Sequence, residues 1–188
     1  MTKVRAYLAM SLDGFVAGEG DSLDWLEPRP RGAAPVAASP WSEVPEDALV
    51  FADFLAQVGA IVMGRRTYDI VEGFDDWPYG ETPMIIATHR PLTTAKPTVT
   101  AARGALKEIL GHAKEVAGAK DVYVDGGTMV RDALDQGLLD EIIVTLVPTV
   151  LGRGVPLFAG MARAAELTVL RVTRYGEGLV QLHLDCRR

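Results

Sequence analysis

Three short stretches carry residue types that grip an anion. Met63-Gly64-Arg65-Arg66-Thr67-Tyr68 closes an apolar run with a glycine, then offers two guanidinium groups and a hydroxyl. Glycine lets a ligand approach the backbone, and a helix starting there would add a dipole favouring negative charge. Ala87-Thr88-His89-Arg90-Pro91 follows another apolar run. Pro91 stops a helix from forming, so hydroxyl, imidazole and guanidinium stand on a loop, where Arg90 has the planar fork of a phosphate clamp. Asp125-Gly126-Gly127-Thr128 sets paired glycines ahead of a helical pattern, the make-up of a pyrophosphate cradle. Each stretch also has a plainer reading: solvated arginines, a surface loop, or glycines that only let a helix pack on a strand. Taken singly, none decides between the two.

Their position in the pattern of elements does more. Val4 to Met10, Ala60 to Met63, Met84 to Ala87, Lys120 to Val124 and Ile142 to Val147 read as short buried strands. Helical spacing predicts helices over Asp47 to Val58, ending before Gly59, over Thr67 to Glu72, over Ala105 to Val116, and after Gly127. Apolar strands interleaved with amphipathic helices imply a mostly parallel sheet covered on both faces. All three turns then fall at carboxyl ends of strands, where open α/β sheets collect their ligands. Leu167 to Tyr175 and Leu179 to Cys186 flank Gly176-Glu177-Gly178 and predict an antiparallel hairpin. In its second arm, Val180, Leu182, Leu184 and Cys186 alternate with Gln181, His183 and Asp185, which predicts one buried face. His112 and His183 read as solvent-facing.

Composition narrows the partners. The chain has 188 residues, 48% hydrophobic and 23% charged, enough for one domain with a packed core. Residues 27–45 hold five of the 11 prolines and read as a loop insertion or lid within that domain. With 19 Lys+Arg against 25 Asp+Glu, the net charge of −6 argues against nucleic acid or an anionic membrane as partner. An anionic small molecule stays compatible. No apolar run is long enough to cross a bilayer and no secretory leader is legible. One cysteine, Cys186, makes neither an internal disulfide nor a Cys-rich metal site, which fits a reducing, cytoplasmic setting. No metal site is expected. Gly152-Arg153-Gly154 runs into Val155-Pro156, so it is no Rossmann fingerprint, and no Gly-Lys-Ser/Thr makes a Walker loop.

Seven motifs occur in order: Ala9-Met10-Ser11-Leu12-Asp13-Gly14-Phe15-Val16-Ala17, Gly64-Arg65-Arg66-Thr67-Tyr68, Trp77-Pro78-Tyr79, Thr88-His89-Arg90, Asp125-Gly126-Gly127, Leu138-Leu139-Asp140-Glu141, and Pro148 through Phe158. Together they resemble the dihydrofolate reductase-like family that includes the C-terminal reductase domain of the bacterial riboflavin-biosynthesis deaminase-reductase. The resemblance implies a three-layer α/β/α fold with a mixed, mostly parallel sheet, NADPH as cofactor, and a homodimer. It implies cofactor contacts at Ala9, Gly64, Arg65, Arg66, Thr67, Thr88, His89, Arg90, Asp125, Gly126, Gly127, Thr128, Leu151 and Gly152. Thr88 and Arg90 would lie near the 2′-phosphate, and Gly126, Gly127 and Thr128 around the pyrophosphate. The Ser11-to-Ala17 loop and Leu151-Gly152 would lie by the nicotinamide.

Two departures bound the transfer. The zinc deaminase half has no counterpart here. Asp47 lies near the carboxylate of true folate reductases, but its spacing and neighbours differ, so folate reduction is not assigned. Asp13, in the loop the resemblance sets against the nicotinamide, is the first catalytic candidate; an Asp-Gly turn whose carboxylate only bonds backbone N–H groups is the other reading. Glu141 opens an otherwise apolar strand and is the second, with a salt bridge as its alternative. Trp25, Trp41, Trp77 and Tyr79 could wall a substrate or simply pack. The expected function is NADPH-dependent reduction of a small heterocyclic or carbonyl substrate, with the riboflavin-pathway reduction of 5-amino-6-(5-phosphoribosylamino)uracil as one candidate. The alternative is a non-catalytic pyridine-nucleotide sensor.

Overall fold

A computed structural model describes residues 2–26, 48–174 and 178–187. The proline-rich 27–45 insertion, Trp41 and Asp47 lie outside the described residues. The strands are β1 (Val4–Ser11), β2 (Phe15–Ala17), β3 (Val58–Gly64), β4 (Met84–Ala87), β5 (Val99–Ala102), β6 (Asp121–Asp125), β7 (Glu141–Val147), β8 (Val155–Pro156), β9 (Thr168–Arg174) and β10 (Val180–Asp185). The helices are α1 (Phe51–Ala56), α2 (Arg65–Val71), α3 (Leu106–Ala117) and α4 (Gly127–Asp135). Eight strands form one sheet in the order β5-β4-β3-β6-β1-β7-β10-β9. The first six are parallel; β10 runs antiparallel to β7 and pairs with β9 in the predicted hairpin. β2 and β8 form a separate two-stranded ribbon.

The apolar runs are continuous because both faces of the sheet are covered. Ala60, Val62, Ile85, Val122, Val124, Ile142 and Val144 face α3 and α4, packing with Ile109, Leu110, Ala113, Val130, Ala133 and Leu134. The intervening Ile61, Met63, Met84, Ile86, Tyr123 and Ile143 face α1 and α2, against Phe54, Tyr68 and Val71. Period-two alternation thus sorts side chains between two cores, and the three-layer architecture follows.

Four local expectations are corrected. Gly59 does not end a helix: it lies inside β3, where a Cβ would sit 2.4 Å from the Ala117 carbonyl oxygen. The end of α3 comes down onto the strand there, and the register slips between Val58 and Ala60. Helix α2 begins at Arg65, directly from extended Gly64, two residues before its predicted start. In β10 the polar Gln181 is buried as well as Leu184, and Cys186 just beyond the strand is buried too. Its amide exchanges bonds with the Leu49 backbone, accepting at 3.1 Å and donating at 3.0 Å, so the chain entering α1 covers that face. His183 is not solvent-facing; its Nε2 lies 2.9 Å from a Glu141 oxygen.

Candidate functional site

Five neighbouring parallel strands, β4-β3-β6-β1-β7, end along one rim. The register shows it: Gly64 pairs with Ala87, Met63 with Asp125, and Ser11 with Val147. The three anion-type turns, the Ser11-to-Ala17 loop and the Leu151-Gly152 segment are therefore delivered side by side. Glu141 is not among them. It starts β7, opposite Arg5, and lies on the far rim.

At the first turn, α2 leaves Gly64 with no side-chain cap. Arg65 Nε donates to Asp69 at 2.6 Å and its Nη1 donates to the Pro91 carbonyl at 2.7 Å. Arg66 Nε donates to Asp21 at 2.6 Å, and Arg90 Nη2 reaches the other Asp69 oxygen at 3.2 Å. Buried Thr88 shapes the second turn by accepting the Arg90 backbone N–H at 3.0 Å, while His89 is exposed. All three arginines face the rim already matched to carboxylates. Neither Asp21 nor Asp69 stood out in the sequence. Asp69 had a signal, its four-residue spacing from Arg65 on a helix; Asp21, 45 residues from Arg66, had none.

At the third turn the diglycine serves close packing. Gly126 has φ +89°, and a Cβ there would lie 2.2 Å from Thr67 Oγ1; one on Gly127 would lie 2.8 Å from Val16 Cγ2. The glycines thus let α2 and β2 close on the start of α4. The first-turn amides of α4, at Gly127, Thr128 and Met129, have no intrahelical acceptor and no side-chain cap. Below them, Asp125 accepts the Gly126 N–H at 2.7 Å and the Tyr79 hydroxyl at 2.6 Å. Burial pushes the Asp125 carboxyl above the usual range, against the pull of its bonds from Tyr79 and Gly126. Burial, and then the Asp125 charge, push the Tyr79 phenol up. Tyr79 is buried against Phe51 and so acts as a strut under the turn; Trp77 packs edge-on against it and carries the Lys96 ammonium 4.2 Å from its ring centre.

Asp13 ties two rim loops together. It accepts the Ser11 hydroxyl at 2.7 Å and the backbone N–H groups of Leu151 at 3.1 Å and Gly152 at 2.7 Å. Desolvation works to raise its pKa, but these bonds outweigh it and hold the carboxyl below the usual range. Each carboxylate oxygen thus accepts at least one bond, and Leu151 and Gly152 are held from across the chain. A cavity of about 410 Å³ opens beside this clamp, lined by Ser22, Asp24, Trp25, Leu151, Gly152 and Arg153. Trp25 is buried, and its indole N–H has no acceptor among the described residues. Ala9, in β1 opposite Thr145, lies behind Trp25.

On the far rim, Glu141 is salt-bridged to Lys3, and Arg5 Nε lies 3.1 Å from its second oxygen. Burial would raise its pKa, but the Lys3 and His183 bonds and the Arg5 charge override this and lower it. Asp121, 3.1 Å from Arg5, completes the cluster. Among the described residues no three His, Cys, Asp or Glu side chains are grouped to hold a metal, and no helix is long and apolar enough to cross a membrane.

The rim therefore combines uncapped helix amides, three guanidinium groups and hydroxyls of Thr67 and Thr88. This donor set fits a molecule with several phosphates. Sheet order, parallel core and C-terminal hairpin place the protein in the dihydrofolate reductase-like class. Enterococcus faecalis dihydrofolate reductase, solved with NADP(H), shares the fold at TM-score 0.61 and 15% identity over 97% of this chain and 95% of that one. The model of the RibD C-terminal domain matches residues 2–181, and the chain belongs to that family. A Shewanella sp. PV-4 protein provisionally assigned to riboflavin biosynthesis is similar at TM-score 0.79 and 27% identity, over 100% of both chains. The uncharacterized protein YwjB of Bacillus subtilis (strain 168) is 28% identical over 182 residues, 96% of each chain. The family is one of oxidoreductases related to riboflavin biosynthesis.

Proposed function

We propose that this chain is an NADPH-dependent reductase of a small heterocyclic or carbonyl-containing substrate, acting as a homodimer in the cytoplasm. The observation that carries the reading is the uncapped start of α4 standing on one rim with Arg65, Arg66 and Arg90. Such amides and guanidinium groups complement a pyrophosphate and a 2′-phosphate respectively. NADPH would supply the hydride. The chain's part is to bind and orient: α4 amides on the pyrophosphate, Arg66, Thr88 and Arg90 around the adenosine end, and the Asp13-clamped loops beside the nicotinamide. Support for the dimer is the sheet's outer edge, where Val169, Leu170 and Val172 are each at least half exposed.

The test is NADPH oxidation with pterins, ribosylaminopyrimidines and small carbonyl compounds as acceptors. Turnover on one class is expected, and replacing Arg90 with Ala should weaken NADPH about tenfold while changing NADH by less than twofold. Equal loss for both cofactors would remove the 2′-phosphate assignment. Tight NADPH binding without turnover on any acceptor would favour a nucleotide sensor, a reading that the engagement of Asp13 by Ser11, Leu151 and Gly152 also supports.

A further inference from the structure

Arg65 comes from α2 and Arg90 from the connection after β4, yet both end on one carboxylate. Arg65 Nε takes one oxygen of Asp69 at 2.6 Å and Arg90 Nη2 takes the other at 3.2 Å. Two guanidinium groups from separate elements, each donating to its own oxygen of a shared anion, is a seating a phosphate monoester can also take. Here an internal carboxylate holds the seat. The Arg90 and Asp69 side chains are 65% and 41% exposed, so the contact is open to water and exchangeable.

We propose that Asp69 is a specificity-determining residue: it occupies the anion seat between Arg65 and Arg90 and limits how strongly the chain prefers an adenine nucleotide bearing a 2′-phosphate. The inference rests on the dinucleotide reading above for the identity of the incoming anion. A phosphate entering the seat either displaces Asp69 from Arg90 or shares both cations with a like charge. Either course costs affinity for a dianion and is nearly neutral for a nucleotide whose ribose carries only hydroxyls. Arg65 does not depend on the carboxylate for its placement, because it keeps its bond to the Pro91 carbonyl at 2.7 Å. The Arg90 backbone is fixed by Thr88 at 3.0 Å, and its guanidinium leans on Asp69. Neutralising Asp69 therefore leaves Arg65 in its seat and frees the Arg90 guanidinium to meet an incoming anion from a fixed backbone.

The experiment is calorimetric titration of wild type, Asp69→Asn and Asp69→Glu with adenosine 2′,5′-bisphosphate, with 5′-AMP as control. Asp69→Asn should bind the bisphosphate about tenfold tighter and 5′-AMP within twofold of wild type, while Asp69→Glu, which keeps the charge, stays near wild type. Unchanged or weaker bisphosphate binding in Asp69→Asn would overturn the proposal. So would an equal gain for 5′-AMP, or an equal gain in Asp69→Glu. Wild-type NADPH oxidation is measured alongside. Its absence with the tenfold shift present defeats only the reductase reading; its presence without the shift defeats only the role of Asp69.

Discussion

Glu141 shows how the neighbours of a carboxylate in an apolar strand can account for it without catalysis. Its side chain is 4% exposed and that of Arg5 is 5% exposed, with Lys3 and His183 completing the surround. Two charges this deep are tolerated only as a pair; removing one leaves the other desolvated and unmatched. Glu141→Gln should therefore cost about 3 kcal/mol of stability at neutral pH, read by chemical denaturation. Because the folded protein holds this carboxyl below its ordinary range, its contribution is present above the unfolded pKa and lost as pH falls through the folded one. The stability gap between wild type and variant should thus be full at neutral pH and shrink as pH falls below the ordinary carboxylate range. Turnover per folded molecule should be unchanged, because the cluster lies on the rim away from the three turns. A fall in kcat with stability intact would restore Glu141 to the active site.

At the scale of elements, the site depends on how tightly α2 meets α4. A Cβ on Gly126 would fall 2.2 Å from Thr67 Oγ1, at a φ of +89° that side chains resist. Gly126→Ala should force the first turn of α2 away from α4, costing about 2 kcal/mol or more and weakening nucleotide binding with it. Thermal melting and NADPH titration of the same variant check both; wild-type values in each would show that the turn is looser than drawn. This closeness was only half legible. Paired glycines announced a special turn, but the packing they permit is set by Thr67 and Val16, distant in sequence. The buried strands were plain, and Met84–Ala87 has its predicted bounds, because a run with no polar residue suits only a strand covered on both faces. Strands β2, β5 and β8 were not anticipated: they are short, and pairing, not pattern, makes them strands. Gly59 misled because its reason is the α3 backbone lying across it.

Over the whole molecule, charge is paired locally on both rims. Arg65, Arg66 and Arg90 stand with Asp69 and Asp21 beside a helix N-terminus on one rim, while Glu141 and Asp121 are matched by Lys3 and Arg5 on the other, within a chain of net charge −6. Overall acidity should slow the encounter with an anionic cofactor, but the local donors decide its residence. A ligand bound only by the folded state stabilises it by mass action, about 2.7 kcal/mol at a hundredfold excess over Kd. For a chain of this length that corresponds to a rise in Tm of about 5–10 °C with NADPH. The exposed guanidinium groups add a second expectation. Arg66 and Arg90 are 72% and 65% exposed, so salt should screen their share of the binding. Raising ionic strength from about 0.05 M to 0.5 M should therefore shrink the NADPH-induced rise more than the NADH-induced one, since only the former brings a 2′-phosphate to these guanidinium groups. Equal salt sensitivity would place the 2′-phosphate elsewhere, and no rise with either nucleotide would leave the rim without the ligand its donors suit.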